Sequence, residues 1–261
     1  MNFIFLGTGA SCGVPAFYCG CKACQEALAN SFYRRSRSAV LVSGRENLLI
    51  DAPTDLANQL IREDIHDIDY LALTHWHNDH VGGLGDLELY IRLRGKKPLQ
   101  AFMTAETWTH LQTGFNSISE LLDVHIIRPD DTVKAGGIQW TALAASHCEG
   151  TLGFLIKCGN NKIAYLPDTG IPSAATCEHL QGIEYLVLDA TFWGKNWYPG
   201  EHLSFDEAVN LGQSLKVKQL YLTHISMHYD IPVTNIELEE IIQPYKGQVR
   251  LAYDGLKLVL S

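Results

Sequence analysis

Positive charge is scarce in this 261-residue sequence: 20 Lys and Arg stand against 29 Asp and Glu, for a formal net charge of −9. Such a chain has no general electrostatic footprint for nucleic acid, which argues against a nucleic-acid partner. Long apolar runs are also missing, none approaching the roughly 18 residues that suggest a membrane span. The opening Met1-Asn2-Phe3-Ile4-Phe5-Leu6-Gly7 has no basic n-region and too short an apolar stretch for a signal peptide. A cytoplasmic protein with no membrane partner is expected. Linkers, charge runs, low-complexity tracts and solenoid-period repeats are absent, which predicts one domain over 1–261. The seven cysteines are an odd number, four of them between residues 12 and 24, so reduced thiols that bind metal are expected rather than a disulfide framework. What the chain does have is a core: 46% of its residues are apolar and 19% charged, which excludes a disordered or collagen-like chain.

Short apolar runs bounded by Gly, Asp, Asn or Pro predict strands at 3–6, 39–42, 48–50, 70–73, 139–143, 153–157, 162–166, 185–188, 219–222 and 250–252. Between them, 54–62 and 85–93 carry apolar residues on one helical face. A helix over 204–215 opens on Ser204-Phe205-Asp206-Glu207, which fits a capping box. Strands cluster in both halves and helices follow them. Two sheets face to face with helices outside are therefore predicted, an α/β architecture.

The strongest chemical signal is Thr74-His75-Trp76-His77-Asn78-Asp79-His80, directly after an apolar strand. Imidazoles suit zinc, iron or manganese, and a carboxylate adds charge and can activate water. A polar helix start capped by Asp would not need so many histidines. His147, Asp168 and His224 each follow an apolar segment, where a site along one sheet rim would place them. Separately, Cys19-Gly20-Cys21-Lys22-Ala23-Cys24 spaces three thiolates as C-x-C-x2-C, which favours a closed structural zinc needing one more ligand. Cys12, Cys148, Cys158 and Cys177 are isolated and read as small apolar fillers. Arg34, Arg35 and Arg37 form a basic run that fits either a phosphate clamp or a solvated loop.

Thr-His-x-His-x-Asp-His followed by a distant His, an Asp and a last His resembles the metallo-β-lactamase superfamily over essentially the whole chain. The resemblance implies an αββα sandwich of two mixed sheets with outer helices. It also implies a dinuclear site in which His75, His77 and His147 hold one metal, Asp79, His80 and His224 the other, and Asp168 bridges them. Asp51 matches an early acidic motif that supports the site. Glu201-His202-Leu203-Ser204 resembles the element that supplies a leaving-group acid in the superfamily's phosphodiesterases, so His202 and Asp79 are the catalytic candidates. Without that likeness, His202 reads equally well as an exposed loop His beside a helix start.

Gly7-Thr8-Gly9, Gly13-Val14-Pro15-Ala16, the three cysteines, Tyr33-Arg34-Arg35, Asp168-Thr169, Leu188-Asp189 and Leu222-Thr223-His224-Ile225-Ser226 resemble the phosphoribosyl cyclic phosphodiesterase family of the carbon–phosphorus lyase pathway. The cysteine segment then forms a zinc-binding insert near 12–35. The family places its fourth zinc ligand three residues after the last active-site His, where this chain has Met227; His228 comes one residue later and is the expected ligand. The resemblance implies two divalent active-site metals (Mn2+ or Zn2+, with manganese the closer match), one structural Zn2+ and a homodimer. Its substrate is 5-phosphoribosyl 1,2-cyclic phosphate, a small phosphorylated sugar, opened to ribose 1,5-bisphosphate during phosphonate breakdown. Two alternatives stand beside it: an RNA-processing phosphodiesterase resembling tRNase Z, and a non-catalytic accessory protein of the same fold. Pyrroloquinoline quinone biosynthesis proteins also carry a short cysteine cluster but tend to lack the full histidine set.

Overall fold

The computed structural model describes every residue except Arg94, Lys96, Asn160, Asp230, Lys246 and Ser261. Its strands form two seven-stranded sheets. In the first, β1 (Asn2–Gly7), β2 (Ala39–Ser43), β3 (Asn47–Ile50), β4 (Tyr70–Ala72), β5 (Leu99–Met103) and β6 (Leu122–Ile126) lie side by side in chain order. In the second the order is β7 (Thr132–Ala135), β8 (Ile138–Ala144), β9 (Leu152–Cys158), β10 (Asn161–Leu166), β11 (Tyr185–Asp189), β12 (Gln219–Thr223) and β13 (Val249–Leu251). The last strand, β14 (Lys257–Val259), returns to pair antiparallel with β1. Both sheets follow one plan, antiparallel up to β3 and up to β10, then parallel to β6 and to β13. Parallel neighbours need crossovers, and helices such as Leu56–Arg62, Leu84–Leu93, Ala174–Leu180 and Phe205–Ser214 supply them.

Each sheet is covered by the other sheet on one face and by helices on its other face, so its strands read as continuous apolar runs. Val40 and Val42 point inward with Phe3, Phe5, Trp140 and Phe154, whereas Leu41 joins Leu49, Leu71 and Leu87 under the first helical layer. On the opposite side Leu166, Leu186, Leu188 and Leu220 pack beneath Phe205, Val209 and Leu238. Trp140 is fully buried in the middle layer, where truncation to Ala costs about 3–5 kcal/mol. The architecture is the expected α/β one: an αββα sandwich of two mixed sheets. Among the described residues no helix is long and apolar enough to cross a membrane.

The capping box forms: Glu207 N donates to Ser204 Oγ (3.3 Å) and Ser204 N to Glu207 Oε2 (2.7 Å). β5, β6, β7 and β14 lie outside the expected strands. Three of these, β6, β7 and β14, are sheet edges, half-exposed and therefore weakly patterned. What positions the site is the line of strand ends. Asp51 follows β3, the His75–His80 segment follows β4, Asp168 follows β10, Asp189 closes β11 and His224 follows β12. All leave the carboxyl ends of parallel strands, where open α/β sheets form their crevices. His147 enters from the turn between β8 and β9.

Candidate metal centres

The histidine loop is locked against the segment after β3. Ala52 N donates to His80 O (2.7 Å) and Gly83 N to Ala52 O (2.8 Å). A Cβ on Gly83 would collide with the Pro53 carbonyl, so only glycine permits this approach. Asp51 sits at φ 67° and His224 at φ 55°. Such left-handed conformations cost on the order of 1–3 kcal/mol each for non-glycine residues, and surrounding bonds must hold them. For Asp51 the holders are Thr74 N and Thr74 Oγ1, which donate to its carboxylate at 2.8 and 2.9 Å.

Four ring nitrogens are tied down on one side, which frees the other for a ligand. His75 Nδ1–H donates to Thr74 Oγ1 (3.0 Å), His80 Nδ1–H to Asp51 Oδ2 (2.8 Å), His147 Nδ1–H to the Glu201 carbonyl (3.1 Å) and His224 Nδ1–H to Thr191 Oγ1 (2.9 Å). Each bond fixes a tautomer and presents Nε2 inward. Ligand atoms of His75, His77 and His147 lie within 4.8 Å of one another, and so do those of Asp79, His80, Asp168 and His224. Asp168 spans the two groups, with Oδ2 3.7 Å from His75 Nε2 and 2.5 Å from His80 Nε2, the latter out of hydrogen-bond geometry. All seven expected ligands are therefore brought together. Asp79 also lies 3.5 Å from His224 Nε2.

Burial and mutual repulsion shape the charges. Burial first, then neighbouring positive rings, hold His75 well below its ordinary pKa; burial also leads the lowering at His77 and His147. That leaves three neutral imidazoles, the form that binds metal. Burial would push the Asp168 carboxyl up, but the rings of His224 and His80 hold it well below the usual carboxylate range. Asp79 is lowered likewise, burial being outweighed by His80 and His224. Burial disfavours charge on His80 too, yet Asp168, Asp51 and Asp79 raise it well above normal. Among the described residues, His75 Nε2, His80 Nε2, His224 Nε2 and Asp168 Oδ1 are buried without a hydrogen-bond partner. Buried polar atoms left unpaired are costly, and here they converge on one point. The donor set, imidazole rings with ionised carboxylates, fits a pair of divalent cations.

A cavity of about 180 Å³ opens over this point, bordered by Ser11, Asp79, Tyr198, Glu201 and His202. His202 Nδ1–H donates to Asp189 Oδ2 at 2.8 Å, and the ring stacks on His224 with centroids 5.6 Å apart. Burial disfavours its charge, but Asp189, Asp168 and Glu201 raise its pKa to about 9. Asp189 is fully buried and also accepts from Thr169 N (3.0 Å) and Thr191 N (2.7 Å). The sequence reading did not place Asp189, Thr191 or the Glu201 carbonyl in the site. The one signal for them was an acid at the end of an apolar strand, Leu188-Asp189.

The cysteine segment forms a second cluster. Ligand atoms of Cys19, Cys21, Cys24 and His228 lie within 4.8 Å of one another. His228 Nε2–H donates to the Gly13 carbonyl (2.8 Å), which turns Nδ1 toward Cys21 Sγ and Cys24 Sγ at 3.5 Å each. Met227 is buried in the core, so the one-residue offset is resolved by His228. Of the isolated cysteines, all partly buried, Cys158 and Cys177 pack against the core as apolar fillers do, and Cys12 and Cys148 make polar contacts instead. Cys148 pairs with Thr151 Oγ1 (3.2 Å), and Cys12 lies 3.8 Å from Ser226 Oγ beside His228. The arginine run is structural. Arg35 is buried and donates to Asn235, Thr8 and the Ala252 carbonyl; Arg37 pairs with Asp55 (3.0 Å); Arg34 donates to the Ala27 carbonyl (3.2 Å).

A family model described as a beta-lactamase superfamily domain matches residues 46–225, more than half of the chain. A crystal structure of a new diphosphatase from the PhnP family superposes with a TM-score of 0.85 at 29% identity, covering 100% of this chain and 98% of that one. Zn(2+)-bound PqqB from Methylobacterium extorquens superposes at 0.82 with 21% identity over 100% of both chains, a likeness of fold. An octanoyltransferase of Porphyromonas gingivalis is 24% identical over 100% of this chain, which spans about half (52%) of that protein's length. With that match over the histidine loop and the strand ends that surround it, the chain belongs to the beta-lactamase superfamily.

Proposed function

We propose that this protein is a metal-dependent phosphodiester hydrolase. The observation that carries the reading is Asp168, one carboxylate reaching both ligand groups, beside a histidine that is not needed as a ligand. His75, His77 and His147 would hold one cation, Asp79, His80 and His224 the second, and Asp168 both. Bound there, two divalent cations supply Lewis acidity toward phosphoryl oxygens and a water nucleophile at neutral pH. Manganese or zinc suits these ligands. The chain's own groups do the rest. Asp51, Thr74, Thr191 and the Glu201 carbonyl orient the ligand rings. Asp189 holds His202 at Nδ1, so Nε2 faces the cavity and donates its proton to the departing alkoxide. Cys19, Cys21, Cys24 and His228 would hold a structural Zn2+ that ties the 12–35 segment to the 224–228 loop.

The substrate class is a small phosphorylated sugar. 5-Phosphoribosyl 1,2-cyclic phosphate, opened to ribose 1,5-bisphosphate, is the member to which the motif resemblance points, and the PhnP-family likeness supports it. The test is turnover by protein loaded with Mn2+ or Zn2+. Bis(p-nitrophenyl) phosphate and the cyclic sugar phosphate should both be hydrolysed, and chelation should abolish it. Fully loaded protein that cleaves no phosphodiester would overturn the reading.

A further inference from the structure

A second cavity, of about 660 Å³, lies between the segment after β1, the 31–37 stretch and the helix Leu56–Arg62. Its volume falls within the roughly 300–1,000 Å³ that enclose a small ligand. It shares no lining residue with the cavity over the metal ligands; Cys12 lines the one and Ser11 the other. Their charge is opposite. Among the described residues no Lys or Arg lines the cavity over the histidines. The second is lined by four arginines, Arg34, Arg35, Arg37 and Arg62, against two carboxylates, Asp55 and Asp254. In a chain of net charge −9 this is a local surplus of positive charge.

The pairing shows where the surplus sits. Arg37 is matched by Asp55 (3.0 Å), and Arg62 by Glu63 (2.9 Å) and Asp254 (3.5 Å). Arg34 and Arg35 bond only neutral groups, Arg34 through Nε to the Ala27 carbonyl and Arg35 to Asn235, Thr8 and the Ala252 carbonyl. Arg34 is exposed, and its two terminal nitrogens have no partner among the described residues. Two unmatched guanidinium charges suit one phosphate monoester, close to a dianion at neutral pH.

Gln59 supplies an independent sign of a ligand. It is fully buried, yet it lines this cavity. Its amide nitrogen donates to Ser36 Oγ (2.9 Å) and the Arg37 carbonyl (2.8 Å). Those bonds fix which way the amide points and leave Oε1 buried without a donor. An unpaired buried acceptor is costly, and a ligand hydroxyl satisfies it directly or through one water. Exposed Asn58, one residue earlier on the same helix, lines the cavity too.

We propose that this cavity binds a hydroxylated phosphate monoester, a sugar phosphate, with its phosphate at Arg34 and a hydroxyl toward Gln59. The site is apart from the metal pair, so binding here does not depend on the phosphodiesterase reading. Ribose 5-phosphate is the probe, since it carries the dianion and the hydroxyls and has no diester bond to cleave. Calorimetry on the metal-loaded protein should show it binding about tenfold more tightly than pentyl phosphate, which has the same charge and no hydroxyl. Arg34→Ala removes a charged donor and Asn58→Asp adds a like charge, both at exposed positions. Each should weaken ribose 5-phosphate about tenfold. Asp168→Ala, which disrupts the metal pair, should leave this binding event in place with its Kd unchanged. No binding, a Kd unmoved by both cavity variants, or binding lost in Asp168→Ala would overturn the site. Equal affinity for the two esters would overturn the part given to Gln59, and with it the sugar.

Discussion

The Asp189 carboxylate and the His202 ring meet at 2.8 Å, and the same carboxylate receives the backbone of Thr169 and Thr191. Asp189 is thus anchored before it touches the histidine. A fixed acceptor at Nδ1 sets the tautomer and keeps the Nε2 proton aimed at the cavity. Asp189→Asn should retain both metals while lowering kcat by about 10–100-fold, the usual scale for a residue that orients a working group. The pH profile gives a second readout. His202 acts as an acid, so kcat falls as pH rises through its pKa, which the carboxylates raise to about 9. Two bound cations act the other way and bring that limb below 9. Removing the Asp189 charge should move it further down, by at least half a unit on the order expected for one lost ion pair. An unmoved limb would show that Asp189 does not govern this proton.

Asp51 makes the same kind of contact one layer below the other histidine group. Its Oδ2 accepts from His80 Nδ1 at 2.8 Å and its carboxylate from Thr74, all in fully buried surroundings. Asp51→Asn should weaken binding of one of the two cations by about 10–100-fold. Titration with Mn2+ under a competing chelator, read by calorimetry, checks this. A loss confined to one site identifies the Asp79, His80 and His224 group as the one Asp51 supports.

Most of this site was legible because metal chemistry concentrates rare residues in short stretches at strand ends. The His75–His80 run, His147, Asp168 and His224 stood out for that reason, and the strand ends bring them together. Leu188-Asp189 matched a family motif but carried no assigned role, since a lone acid after an apolar strand fits many, and Thr191 did not stand out. The Glu201 carbonyl was beyond reach, because every residue carries one. In the fold, central strands announced themselves through burial on both faces, while edge strands β6, β7 and β14 were diluted by polar side chains. Arg35 shows the opposite failure: a basic run fitted either a phosphate clamp or a solvated loop, yet its middle member is buried among Asn235, Thr8 and the Ala252 carbonyl.

The cysteine cluster should support folding and not chemistry. Its four side chains join the segment after β1 to the loop that also carries His224. Structural zinc contributes folding free energy directly, because the unfolded chain has no preformed site. Cys21→Ser should therefore lower Tm by several degrees while changing kcat per folded, metal-loaded molecule little. His228→Ala should lose zinc from this cluster alone. Zinc content unchanged by His228→Ala would remove His228 from the ligand set.

His202 is separable from the metal ligands by the bond it must protonate. Nothing in the ligand count requires it, so His202→Ala should keep the fold and both cations. For a sugar alkoxide leaving group the loss in kcat should be on the order of 10²–10⁴, the range of a positioned acid. For bis(p-nitrophenyl) phosphate it should shrink toward unity, since p-nitrophenolate departs without a proton. A ligand would fail with both substrates, because its loss empties the site, and an idle loop histidine would fail with neither. The contact with Asp189 and the stacking on His224 place the ring between these extremes. Equal losses on the two leaving groups, or metal lost on mutation, would exclude His202 as the acid and leave the leaving oxygen to be protonated by solvent.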